Sequence, residues 1–130
     1  MKTVKVAELS GPSLCYAVSM IENPHLVWGI TTGIYARSHA IIIPDMPEPD
    51  CYSPYADWSM CGPIIEREKI TIKYTGSLLG FCAYMKTGNG KFTELPSDFV
   101  QYANKPLIAA MRCYVASKMG EEIEIPDNLL

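Results

Sequence analysis

The spacing of apolar residues along the chain predicts three helices that supply most of the core. In the first helix, Leu14, Val18 and Ile21 recur at the i, i+4 and i+7 positions that make one helical face. Ser10 suits the N-cap before them, because a serine side chain can accept a hydrogen bond from a free backbone N–H. The third helix is apolar on nearly every side and must therefore be buried on most of its surface. The predicted helices are 10–22, about 58–68 and 105–119.

Alternating polar and apolar residues predict several short strands. Segments 70–74 and 79–84 flank a Thr-Gly-Ser turn, so they form the clearest predicted hairpin. The basic segment 2–6 and the acidic segment 122–125 are expected to pair, since opposite charges across a strand ladder attract. Two further short strands, which suit a second hairpin, are predicted at 26–30 and 40–43.

The chain length and the order of these elements predict one α+β domain over residues 1–130. In it a small, mostly antiparallel sheet packs with about three helices, in the manner of an α/β sandwich. The proline-rich, acidic segment 44–56 and the glycine-containing segment 86–99 are predicted as loops within this domain. The tyrosines and sulfur-containing side chains of the first loop either bind a partner or pack down to fix the loop.

Charge and cysteine usage narrow the class of protein. The net charge of −3 leaves no basic footprint with which a duplex-DNA binder neutralises phosphates. No apolar run approaches the roughly 18 residues of a membrane span, and residues 1–5 lack the apolar core of a signal peptide. The five cysteines form no C-x-x-C pair and are an odd number, which favours free thiols in a reducing compartment. We therefore expect a cytoplasmic protein without a membrane or duplex-DNA partner.

Three sequence blocks resemble a known family of phage proteins. They are Glu8-Leu9-Ser10-Gly11, then 53–58 with 62–68, and finally 106–127. In order and spacing they are similar to the NinX family of lambdoid bacteriophages. The resemblance implies an accessory phage protein of unknown function that acts in the cytoplasm of an infected bacterium.

One polar cluster is the main candidate for a ligand site. Arg112 is the only charge in the middle of the apolar third helix, and a buried guanidinium favours a carboxylate in bidentate geometry. Asp57, Glu66 and Glu68 are the candidate partners within the family-like blocks. Together with Trp58, Arg112 and these carboxylates could hold an anionic or planar ligand. The alternative, which we favour, is a structural ion pair between the last helix and the middle of the chain.

Other chemistries find little support in the residue pattern. His25 and His39 lie in no recognisable motif, so neither a cysteine–histidine pair nor a zinc site has the required spacing. Glu66 and Glu68 are two positions apart on a helix and point to different faces, so they do not converge as an acid–base pair. The Gly88-Asn89-Gly90 turn precedes no helix and does not predict a phosphate loop. We therefore expect no cofactor and no metal.

Two functions remain after these exclusions. The first is a protein-interaction module that binds a host or phage protein in the host cytoplasm, with homo-oligomerisation as a further expectation. The second is a small-molecule- or nucleotide-handling enzyme with a pocket around Asp57, Trp58, Glu66 and Arg112. A deep pocket with Arg112 exposed at its base would favour the enzyme, whereas a fully paired and sealed Arg112 would favour the interaction module.

Overall fold

The computed structural model describes residues 2–22, 35–37, 40–42, 58–85 and 100–129. Three α-helices lie in these segments, and each begins and ends within one residue of its predicted bounds. They are α1 Gly11–Glu22, α2 Trp58–Glu68 and α3 Pro106–Met119. The described part of the chain combines these helices with small antiparallel sheets, so the predicted α+β class is confirmed.

Seven strands lie in the described segments, and every pairing between them is antiparallel. The strands are β1 Lys2–Lys5, β2 Tyr35–Arg37, β3 Ala40–Ile42, β4 Ile70–Gly76, β5 Gly80–Met85, β6 Gln101–Ala103 and β7 Glu122–Ile125. One sheet pairs β1 with β7, a second pairs β2 with β3, and the third has the order β4-β5-β6. Short 3-10 helices at Val6–Glu8 and Asp127–Leu129 follow β1 and β7.

The two ends of the described chain pair as the charge pattern predicts. In the antiparallel register of β1 and β7, Lys5 lies opposite Glu122 and Val4 lies opposite Ile123. The ladder continues beyond β1, because the Val6 N–H donates to the Glu121 carbonyl at 2.8 Å. The pairing of opposite charges across this ladder favours the observed register over a shifted one.

The other strand predictions are confirmed in part. The hairpin predicted at 70–74 and 79–84 is present as β4 and β5, and the strand predicted at 40–43 is present as β3. The partner of β3 is β2, which we did not predict, and β6 was also missed. The strand predicted at 26–30 and the loops predicted at 44–56 and 86–99 lie outside the described residues.

The start of α1 shows how local sequence sets a helix end. The Ser13 hydroxyl accepts the Ser10 N–H at 3.3 Å and donates to the Ser10 carbonyl at 2.8 Å. Ser13 thus fills the role of the third helical residue in a capping box, whose side chain reaches back to the N-cap backbone. Leu9 and Leu14 are fully buried on either side of this turn, as expected for a hydrophobic staple.

Helix α2 continues through Pro63, although the Gly62-Pro63 pair predicts an interruption or a kink. Proline inside a helix removes one backbone hydrogen bond and crowds the preceding turn. The buried side chains of Cys61 and Ile64 flank Pro63 and hold both halves of α2 against the core. Burial of these apolar groups offsets the local cost of the proline.

The last helix, α3, forms the centre of the described core. It contacts α1, α2 and all three strands of the β4-β5-β6 sheet. Tyr114 and Met111 are among the largest fully buried side chains, and Tyr16 of α1 is another. This arrangement explains why the sequence of α3 is apolar on almost every side.

Candidate functional site

Arg112, the central residue of the predicted site, binds backbone carbonyls in the described structure. Its Nε donates to the Leu9 carbonyl at 2.7 Å, and one terminal nitrogen donates to the Tyr102 carbonyl at 2.8 Å. Partial burial lowers the pKa of the guanidinium from its ordinary value. We expected a carboxylate partner; instead, Arg112 joins the segment before α1 and strand β6 to α3.

The other predicted site residues are distributed along and before α2. Trp58 begins the helix with 58% of its surface exposed, and Glu66 is exposed near its end. Eight residues of helix separate them by about 12 Å along the axis. Asp57 lies outside the described residues. The assignment of Asp57, Trp58, Glu66 and Arg112 to a ligand site therefore stays a prediction.

A polar network that the sequence did not reveal joins the ends of the three helices. The buried Tyr114 hydroxyl donates to the Glu22 carboxylate at 2.5 Å, and the Arg67 guanidinium donates to the same carboxylate oxygen at 2.8 Å. Arg67 also contacts the Tyr114 hydroxyl at 3.1 Å and lies 5.9 Å from the ring centroid. Burial, followed by the hydrogen bond to Glu22, raises the pKa of Tyr114. The only hint in the sequence is that a buried tyrosine hydroxyl needs a partner.

Glu68, one of the expected partners of Arg112, belongs to this same network. Its two carboxylate oxygens lie 2.9 Å from the Lys118 ammonium and 3.1 Å from Arg67 Nε. The hydrogen bond from Lys118 is the main cause that lowers the pKa of Glu68. Each of these polar and charged groups has a partner within the network. Such a set of mutual hydrogen bonds and ion pairs is typical of a structural connection between helices.

Large apolar side chains are exposed near the tip of the β4–β5 hairpin and on the neighbouring strand β6. We call Tyr74, Leu78, Leu79 and Tyr102 the hairpin patch; their exposed fractions are 62%, 97%, 57% and 46%. They line one open cavity of about 380 Å³ together with residues of the turn and the end of β6. The Tyr74 ring is supported by an edge-to-face contact with Phe81, at 5.3 Å between centroids.

The tip of the hairpin lies close to the backbone of β6. Gly80 has a φ of +74°, and a Cβ at this position would lie 2.4 Å from the Ala103 carbonyl oxygen. Only glycine fits this conformation and this distance, so the residue fixes the approach of the tip to β6. The sequence pattern did not predict this patch, because Leu79 was assigned to the start of the predicted strand 79–84.

The described cysteines are buried thiols. Cys15, Cys61, Cys82 and Cys113 are buried, and burial raises the pKa of Cys61 and of Cys113 to about 12. A thiol with a raised pKa is a poor nucleophile at neutral pH. Within the described segments, no three His, Cys, Asp or Glu side chains are grouped so that they could hold a metal ion. No helix in the described segments combines the length and apolar character needed to cross a membrane.

These features define a small α+β protein with a sealed helical core and an exposed apolar hairpin tip. A family model described as Bacteriophage P22, NinX matches residues 5–118. Because the match spans most of the 130 residues, the chain belongs to this phage family, and the resemblance of the sequence blocks is confirmed. A comparison with curated proteins finds no match.

Proposed function

We propose that this phage protein acts by binding a host or phage protein through the hairpin patch, in the cytoplasm of the infected cell. The observation that carries the proposal is the exposure of Leu78, which places almost its whole side chain in water beside three other large apolar groups. Contiguous apolar groups on a protein surface commonly mark interaction sites. Tyrosine is also among the residue types enriched at the buried centres of interfaces.

The energetics of the patch agree with this function. Full burial of a leucine side chain is favourable by roughly 1.5–3 kcal/mol, so covering Leu78 and Leu79 supplies several kcal/mol toward binding. The costs of association and of ordering side chains reduce that gain. Gly80 and the Tyr74–Phe81 contact hold the tip in place before binding, which lowers the ordering cost.

Site-specific photo-crosslinking in phage-infected bacteria tests the proposal. A benzophenone amino acid placed at Leu78 should give a discrete crosslinked product, and the product should disappear when Leu79→Asp is added. The matched control carries the same photo-reactive group at Glu124, an exposed position on β7. Equal products from both positions, or none from Leu78, would exclude the patch as the docking surface. A product that contains only two copies of this chain would replace the host or phage partner with self-association.

A further inference from the structure

The hairpin patch lies in the basic part of an acidic protein. Segments 69–85 and 100–119 contain five basic residues and no Asp or Glu, although the whole chain has a net charge of −3. These two segments form the β4-β5-β6 sheet and helix α3, which pack directly against one another. Among the described residues, the exposed Lys73 and Lys105 therefore leave positive charge near the patch, which the composition as a whole conceals.

Three of these cations border the patch itself. Lys73 is exposed, and its strand register places it in one row with Cys82 and Tyr102, on the face of the sheet opposite to Tyr74. Lys105 is exposed immediately after Asn104, which lines the cavity. The third cation, Arg112, holds the Tyr102 carbonyl at 2.8 Å.

The exposed lysines at the rim differ from the basic residues elsewhere in α2 and α3. Lys118 and Arg67 form ion pairs with Glu68 and Glu22. No carboxylate among the described residues forms an ion pair with Lys73 or Lys105. Both ammonium groups are thus available to a charge that a partner brings.

We infer that the partner segment is an acidic peptide in which large apolar side chains alternate with Asp or Glu. The inference rests on the proposed function, since it identifies the chemistry of the partner at the same patch. The apolar side chains of such a peptide would cover Leu78, Leu79 and Tyr102, and its carboxylates would face Lys105 and Lys73, which lies on the same face of the sheet as Tyr102. This arrangement of an apolar centre with a complementary charged rim is the usual anatomy of a protein interface.

The composition of the patch favours a protein over a single-stranded nucleic acid. Nucleic-acid surfaces of this kind use aromatic rings on which successive bases stack. The two most prominent residues of the hairpin turn are instead Leu78 and Leu79, whose aliphatic side chains offer no stacking face. Apolar side chains of a peptide are the better match for these leucines.

Synthetic peptides provide a direct test of the partner chemistry. The first peptide alternates Glu with Leu and Phe; the second has Lys in place of Glu, and the third has Ser in place of Leu and Phe. Binding to the intact protein is followed by fluorescence anisotropy, with an oligothymidine as a fourth probe. We expect the first peptide to bind at least about tenfold more tightly than either other peptide, with an affinity that falls as salt is raised.

Charge-reversal variants test whether the rim lysines cause this preference. Lys73→Glu and Lys105→Glu should each weaken binding of the acidic peptide by about threefold to tenfold. The matched control Lys2→Glu reverses an exposed charge on β1, away from the patch, and should leave binding unchanged. The same variants should lower the yield of the Leu78 crosslink in infected cells.

The outcomes separate this inference from the proposed function. Equal or tighter binding of the Lys peptide, or no binding of the acidic peptide, overturns the acidic-partner inference. If the Leu78 crosslink persists with the Lys73→Glu and Lys105→Glu variants, the docking function stands without its charge preference. Tighter binding of oligothymidine at the patch would replace the peptide with a nucleic acid. Competition by a second copy of this chain would assign the patch to self-association.

Discussion

Substitution of Arg112 should destabilise the fold because two separate segments depend on its guanidinium. Arg112→Met keeps most of the apolar stem but removes the donors to the Leu9 and Tyr102 carbonyls. Leu9 is fully buried, so loss of a charged hydrogen bond there costs roughly 1.5–3 kcal/mol. The bond to Tyr102 is exposed, and water replaces the lost donor, so it adds under about 1 kcal/mol. The expected total is about 3 kcal/mol.

The assay is equilibrium unfolding in urea, followed by circular dichroism and by tryptophan fluorescence. Coincidence of the two signals establishes that a two-state free energy of unfolding applies. Lys105→Met is the matched control, because it removes an exposed cation immediately before the start of α3. Its free energy of unfolding should stay within about 0.5 kcal/mol of the unsubstituted protein. Arg112→Lys should lie between the two, since a single ammonium lacks the planar fork of the guanidinium.

An Arg112→Met variant as stable as the Lys105→Met control would refute the reasoning. It would mean that the Leu9 carbonyl finds water or another donor at little cost. A loss well above 5 kcal/mol would point instead to an unpaired buried carboxylate, the partner that the sequence first suggested for Arg112.

Three further predictions concern the hairpin and the polar network that joins the three helices. Gly80→Ala should lower the free energy of unfolding by more than about 2 kcal/mol, because φ is +74° and the new Cβ meets a β6 carbonyl. Tyr114→Phe should cost about 1–2 kcal/mol in thermal or urea unfolding, since it removes the 2.5 Å hydrogen bond to Glu22. The pKa of Glu68 is lowered from its usual 4.5, chiefly by Lys118, so its contribution is present above about pH 4.5 and is lost as pH falls through the folded-state pKa. Lys118→Met should reduce this acid sensitivity in urea unfolding compared across that pH range.

Matched controls make each of these outcomes decisive. Gly76→Ala places a Cβ in open space at another positive φ and should cost less than Gly80→Ala. In a Glu22→Ala background, Tyr114→Phe should cost much less than in the unsubstituted protein, because the oxygen that accepts the hydrogen bond of the Tyr114 hydroxyl is already gone. The pH reasoning fails if Lys118→Met leaves the acid dependence of stability unchanged.

The sequence pattern was enough to predict the elements that have a clear apolar repeat or charge pattern of their own. The apolar repeat in α1 and the nearly uniform apolar character of α3 predicted their bounds, because helix burial follows a fixed period along the chain. The opposite charges of β1 and β7 predicted that the described ends pair, because cross-strand neighbours interact directly. Strand β6 was missed because its three residues are too few to show a period, and β5 supplies the edge that makes it a strand.

The candidate site required the tertiary structure. Arg112 binds main-chain carbonyls, and carbonyls are present at every position, so no residue type identifies which ones it will meet. Glu22 and Tyr114 are 92 positions apart, and only the packing of α1 against α3 brings them together. The apolar residues at 78 and 79 are equally consistent with a core or an exposed tip. What the sequence determined by itself was the periodic burial of helices and the pairing of charged strands; what packs opposite each side chain, and therefore which apolar groups remain in water, was decided only by the tertiary structure.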